Sequence, residues 1–178
     1  SGAANYWNIE KGKRPGIQRT MALDGEPWTP PEDGFYMTDA FTDRAVEFLD
    51  QYGDEEKPFF MYLAYTAPHW PLHAWPEDIA KYKGKYDIGW DQLRKQRHQR
   101  QLEMGLVEDE WPLTPRDDDA QAWDSLSDEQ KEEMSLKMAV YAAQIDRMDQ
   151  GIGKVLQKLR DLGKFEDTLI LFLADNGG

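Results

Sequence analysis

The chain contains no cysteine. That excludes a disulfide framework, a thiolate nucleophile and a Cys-type zinc site, while leaving the redox compartment open. Positive charge is scarce: 21 Lys and Arg stand against 34 Asp and Glu, a net charge of −13. A phosphate-backbone partner calls for a basic face, so nucleic acid is excluded as a partner class. An acidic surface is compatible with a cation site without specifying one. No apolar run approaches the length of a membrane span. No signal-peptide pattern stands at the N-terminus, and localisation is left open. Histidine is limited to His69, His73 and His98. There is no internal repeat and no low-complexity tract.

What remains is globular in composition, 40% apolar and 31% charged over 178 residues. One domain, 1–178, is expected at that length. Residues 1–34 are rich in Gly and Pro and read as a long ordered loop with one short hairpin around Ile17–Asp24. Tyr6, Trp7 and Trp28 are the side chains available to pack it down. Tyr36–Gln51 reads as a helix, with Thr38 as N-cap and Asp39 where the macrodipole favours a carboxylate. Its apolar stripe is Phe41, Ala45, Phe48 and Leu49, and Tyr52-Gly53-Asp54 ends it. Residues 77–107 are polar and basic–aromatic and read as one or two surface helices with a break near Lys83–Asp87; 108–124 reads as an acidic loop. Ser127 to Leu162 is the longest expected helix. Ser127 and Gln130 form a capping box, Met138 to Leu159 a core stripe, and Gly163 the C′ residue.

Two segments read as buried strands of a parallel sheet, Pro58–Tyr65 (PFFMYLAY) and the terminal Thr168–Gly178 (TLILFLADNGG). Each delivers polar residues just past its apolar run. In a parallel sheet both C-terminal ends lie on one edge, where ligands sit. His69 is therefore expected to converge with Asp175 and Asn176. Asp175 and Asn176 offer a carboxylate and an amide carbonyl, which suit Ca²⁺ or Mg²⁺; the alternative is a plain turn. His69, between Pro68 and Trp70-Pro71, is a candidate oxyanion donor or general acid; the alternative is a packed loop histidine. His73 is the weaker candidate, and His98 is expected to be solvated. Asp117-Asp118-Asp119 is expected to be a solvated turn rather than a metal cluster. The Lys and Arg residues at 81–100 are expected on a solvent-facing helix paired with local acids. Asp146 and Asp149 are expected at the surface.

Five segments in order carry a family resemblance: Tyr65-Thr66-Ala67-Pro68-His69-Trp70-Pro71-Leu72; Tyr82-Lys83-Gly84-Lys85-Tyr86-Asp87-Ile88-Gly89-Trp90; Trp123-Asp124-Ser125-Leu126-Ser127; Met138 through Gln144-Ile145-Asp146-Arg147-Met148-Asp149; and Thr168 through Asp175-Asn176-Gly177. The chain resembles the arylsulfatases, the formylglycine-dependent sulfatases of the alkaline-phosphatase-like superfamily. The resemblance implies an α/β fold, here a partial alkaline-phosphatase-like fold with a central, mostly parallel sheet flanked by helices. It implies hydrolysis of sulfate esters by a formylglycine made from Cys or Ser, with a divalent metal, usually Ca²⁺, polarising the sulfate. By motif match Asp175 and Asn176 are metal ligands, and His69 contacts the sulfate or protonates the leaving group. The same likeness implies a periplasmic or secreted location and a sulfate-ester or sulfated-carbohydrate substrate.

The departures are equally specific. The formylglycine motif, Cys or Ser followed by x-Pro-x-Arg, is missing; Thr114-Pro115-Arg116 has the wrong spacing. The early aspartate pair of the metal site, the Lys-x-His segment and the later lysine are missing too. The chain is therefore expected to be the middle section of a sulfatase, truncated at both ends, inactive alone, with exposed sheet edges or contacts between copies that cover them. Alternatives are a phosphodiesterase or phosphonate hydrolase of the same superfamily, or a non-catalytic module binding anionic glycans through Lys81–Arg100.

Overall fold

A computed structural model describes residues 5–9 and 20–174. The chain divides into two compact units, one running to Pro71 and resuming at Arg147, the other Leu72–Asp146.

In the first unit, β1 (Met21–Leu23) and β2 (Glu26–Trp28) form an antiparallel hairpin. Its turn is Asp24-Gly25, with φ of 52° and 85°. Two successive left-handed residues are what a two-residue hairpin needs, and Asp-Gly supplies them. The hairpin expected around Ile17–Asp24 thus lies further along, because this dipeptide fixes the turn; 17–19 lie outside the described residues.

Helix α1 (Met37–Tyr52) comes next. Its N-cap is the extended Tyr36 rather than Thr38. The helix begins one residue before Thr38, which is therefore inside the first turn and buried. Asp39 sits in the first turn as expected, and it receives Arg147 in a two-pronged ion pair at 2.6 and 2.7 Å. The buried stripe is Thr38, Thr42, Ala45 and Leu49. Ala45 and Leu49 join Val155 and Leu159 as the centre of the core, with Val46, Leu156, Leu162 and Phe165 packed around them. Gly53 is the C-cap of α1, and a Cβ there would strike Leu49 O and stand 2.6 Å from Leu162 Cδ1.

The two segments expected as buried strands are not hydrogen-bonded as strands among the described residues. A strand needs a neighbouring ladder, and none of the described residues supplies one. Pro58–Tyr65 alternates instead: Met61 and Leu63 pack on the core, while Phe60 and Tyr62 are 90% and 81% exposed. That is the period of an extended chain with one face covered. Leu169, Leu171, Phe172 and Leu173 are all exposed.

Helix α2 (Pro76–Tyr82) and helix α3 (Gly89–Glu103) occupy the second unit, with the break between them where the sequence places it. Gly89 has φ of 77°, and a Cβ there would collide with the Trp123 ring. Trp123 lies in a short 3₁₀ turn (Trp123–Ser125), edge-on to Trp90 at 4.8 Å, with its backbone N–H donating to Asp91 Oδ2 at 2.9 Å.

Helix α4 (Asp128–Asp161) is the longest element. The Ser127–Gln130 box is reciprocal: Ser127 N donates to Gln130 Oε1 at 2.9 Å, and Gln130 N to Ser127 Oγ at 3.2 Å. At the other end Gly163 has φ of 65°. Gly163 N donates to Arg160 O and Lys164 N to Leu159 O, each at 2.9 Å, which makes a Schellman cap. The expected stripe is core only in its C-terminal half. Val155 and Leu159 are buried, whereas Met138, Tyr141 and Ile145 are exposed. In the N-terminal half the buried residues are Ser135, Ala139, Ala142, Ala143 and Gln144. Small side chains admit a neighbouring element closely, and apolarity alone does not choose between two such faces.

Candidate functional site

His69 is delivered by the run from Pro58, in a turn closed by His69 N donating to Thr66 O at 2.9 Å. The Ala67–Pro68 and Trp70–Pro71 bonds flanking it are cis. The residue is exposed. Its Nδ1 lies 2.6 Å from Trp70 O. A carbonyl only accepts, so Nδ1 is the donor in this contact.

The turn rests on a set of aromatic and polar contacts in the same unit. Tyr6 Oη donates to His69 O at 2.9 Å. Met37 N donates to Tyr6 O at 2.9 Å, and Thr66 Oγ1 lies 3.3 Å from Met37 Sδ. Tyr6 stacks on Tyr36 at 5.8 Å, and Trp7 meets Tyr36 at 4.5 Å. Burial of the Tyr36 phenol pushes its pKa up to about 12. Asn5 Oδ1 accepts from Trp7 N and Asn8 N at 2.9 and 3.2 Å, which shapes the turn that presents Tyr6. Just before the His69 turn, Tyr65 Oη is 2.7 Å from Thr42 Oγ1, and burial raises the Tyr65 pKa as well. Gly151 leaves room for this pair: a Cβ there would collide with Thr42 Oγ1 and stand 2.9 Å from Tyr65 Oη.

Asp175 and Asn176 lie outside the described residues, so their convergence with His69 is not part of the observed geometry. Among the described residues no three His, Asp or Glu side chains are gathered for a metal. Asp117–Asp119 is exposed, with Asp119 N donating to Asp117 Oδ1 at 2.9 Å, as a solvated turn should be. His73 is half-buried in the second unit. His98 is not simply solvated: its Nε2 is 3.0 Å from Trp111 O, and it ties α3 to the loop after it.

Of the basic residues at 81–100, Lys81 reaches Asp78 at 2.7 Å and Asp146 at 3.0 Å, and these bonds raise its pKa. Asp146 is thereby an anchor rather than a plain surface residue. Arg94 donates to Thr114 Oγ1 at 2.5 Å. Lys81 thus has one local acid, as expected, and one 65 residues away, whereas the partner of Arg94 is a hydroxyl rather than an acid. Asp78, only 2% exposed, escapes sequence reasoning, although Asp78 and Lys81 are spaced i,i+3 on a helix. Tyr6 is anticipated as a packing residue, but its bond to His69 is not, because only the fold brings residue 6 to residue 69.

The family model described as Sulfatase matches residues 3–178, and the chain belongs to the sulfatase family. An uncharacterised sulfatase of Schizosaccharomyces pombe is 40% identical over 99% of the chain and 33% of its own length. An arylsulfatase of Klebsiella aerogenes is 37% identical over 99% of the chain and 38% of its own length. The chain thus spans about a third of the length of these curated relatives. The solved structure of Ps i-CgsB in complex with k-i-k-neocarrahexaose matches 82% of this chain and 21% of its own, at 23% identity and a TM-score of 0.47. The α/β class of the family accommodates the helices and small hairpin of this chain. Among the described residues, no helix is long and apolar enough to cross a membrane.

Proposed function

We propose that the whole protein hydrolyses sulfate esters, with aryl sulfates as the first class to test, and that His69 acts at the ester. The observation that carries this is the family match across 3–178, within which His69 stands exposed on a braced turn. With Nδ1 engaged by Trp70 O, Nε2 is the working nitrogen. As imidazolium it donates to a sulfate oxygen or gives its proton to the departing alcohol oxygen; as neutral imidazole it accepts. Asp175 and Asn176 supply two oxygen ligands to a divalent cation, Ca²⁺ in preference to Mg²⁺. Such a cation, when bound, draws charge from the sulfate oxygens. The nucleophile is a formylglycine by family expectation. The 178-residue chain has no Cys and no Ser-x-Pro-x-Arg from which to make one, so the chain by itself is inactive.

The test is turnover by the purified whole protein. Release of sulfate from an aryl sulfate, suppressed by a chelator and restored by Ca²⁺, is the expected result. Faster turnover of a phosphate diester would replace it with the phosphodiesterase alternative. No turnover, with salt-sensitive binding to a sulfated polysaccharide that survives His69→Ala, would replace it with a glycan-binding module.

A further inference from the structure

We propose that Tyr6 is a positioning residue for His69, its hydroxyl fixing where the imidazole meets the sulfate ester. This rests on the role proposed for His69 at the ester. Tyr6 is 1% exposed. Its hydroxyl donates to the carbonyl of His69, 63 residues away, at 2.9 Å. A buried hydroxyl must find a partner. Here the partner is the backbone of the very residue whose side chain is exposed.

Tyr6 is itself fixed at both ends. Its carbonyl takes the first helical N–H of α1, from Met37, and its ring is stacked on the buried Tyr36. Met37 also receives Thr66 through its sulfur, and Thr66 O accepts from His69 N. The turn is thus tied to the start of α1 by two routes, one at Thr66 and one at the His69 carbonyl. The second orients the 69–70 peptide plane. Trp70 O, one residue on, takes Nδ1 at 2.6 Å and sets the ring. Removing the Tyr6 hydroxyl keeps the ring packing and releases that peptide plane, so the imidazole loses its fixed approach. Misplacing a reacting group by about 1 Å costs up to about a hundred-fold in rate.

The experiment is a double-mutant cycle in the whole protein, reading kcat/KM for an aryl sulfate. Tyr6→Phe is expected to lower it by about ten-fold. In the His69→Ala background, Tyr6→Phe is expected to change it by less than about two-fold, since the group being positioned is gone. Tyr36→Phe removes a hydroxyl from the same aromatic stack but leaves the bond to His69 O, and activity is expected to stay within about two-fold of the parent. An equal loss from Tyr6→Phe in both backgrounds would overturn the proposal, because the effect would not pass through His69. So would an equal loss from Tyr36→Phe, which would make the effect one of stack stability. Parent-like activity in Tyr6→Phe, with His69→Ala impaired, would overturn it while leaving the role of His69 standing. Parent-like activity in His69→Ala would overturn both. If Tyr6→Phe does not fold, Thr66→Val tests the other route to the turn: a loss as large as ten-fold that persists without His69 would count against positioning through the turn.

Discussion

Pro58–Tyr65 and Leu169–Ala174 are two apolar runs of nearly the same character, yet they have different surroundings. The first lays Met61 and Leu63 on the Ala45–Leu49–Val155–Leu159 core and turns Phe60 and Tyr62 outward. The second is bare on both sides, with Leu169, Leu171, Phe172 and Leu173 at 73% exposure or more. The first run is also held at its C-terminal end, where Tyr65 meets Thr42 over Gly151 and the His69 turn is bonded to Tyr6. Composition makes a segment able to be buried; only partners of the right shape bury it.

The contrast between the two runs is probed by pH and by substitution, each read first as the unfolding free energy of the chain. The largest effect is set by pH. The Tyr36 phenol titrates near 12 in the folded chain against 10.0 when unfolded. Above pH 10 the unfolded state sheds that proton first, so stability falls between pH 10 and about 12, by roughly 3 kcal/mol. Tyr36→Phe should shrink that limb, leaving the part due to Tyr65, whose pKa burial also raises; an unchanged limb would mean Tyr36 does not contribute to it. Next, Leu63→Ala should cost about 2 kcal/mol by chemical denaturation, since it empties a place in the core. Gly151→Ala should cost about 1–3 kcal/mol by forcing Thr42 and Tyr65 apart. A neutral result for either would mean that the first run is not seated on the core. Tyr65→Phe removes only the hydroxyl partner of Thr42 and should cost about 1 kcal/mol. Leu171→Ser should change unfolding by less than about 0.5 kcal/mol, and should reduce concentration-dependent self-association of the chain seen by light scattering. A cost like that of Leu63→Ala would show the second run to be covered after all.

The helices are legible in the sequence because their ends are local. The Ser127–Gln130 box, Gly163 and the α2–α3 break are decided by a few adjacent residues. The inward face of the first half of α4 is not legible, since Met138, Tyr141 and Ile145 compete with a face of small residues and the outcome depends on the neighbour. Strand pairing is not local either, so a correct sense of apolarity at 58–65 and 169–174 does not yield a ladder. For the site, His69 stands out by its setting between prolines. Tyr6 does not, because nothing near residue 6 points to residue 69. Ion pairs such as Arg147–Asp39, 108 residues apart, are hidden for the same reason.

Function turns on whether the braced turn after the first run presents a working histidine. The most direct measurement is aryl sulfate turnover by the whole protein carrying His69→Ala, at saturating Ca²⁺ and with its folding checked by melting. The predicted result is a loss of about a hundred-fold or more with the melting temperature kept. Turnover equal to the parent protein would contradict it.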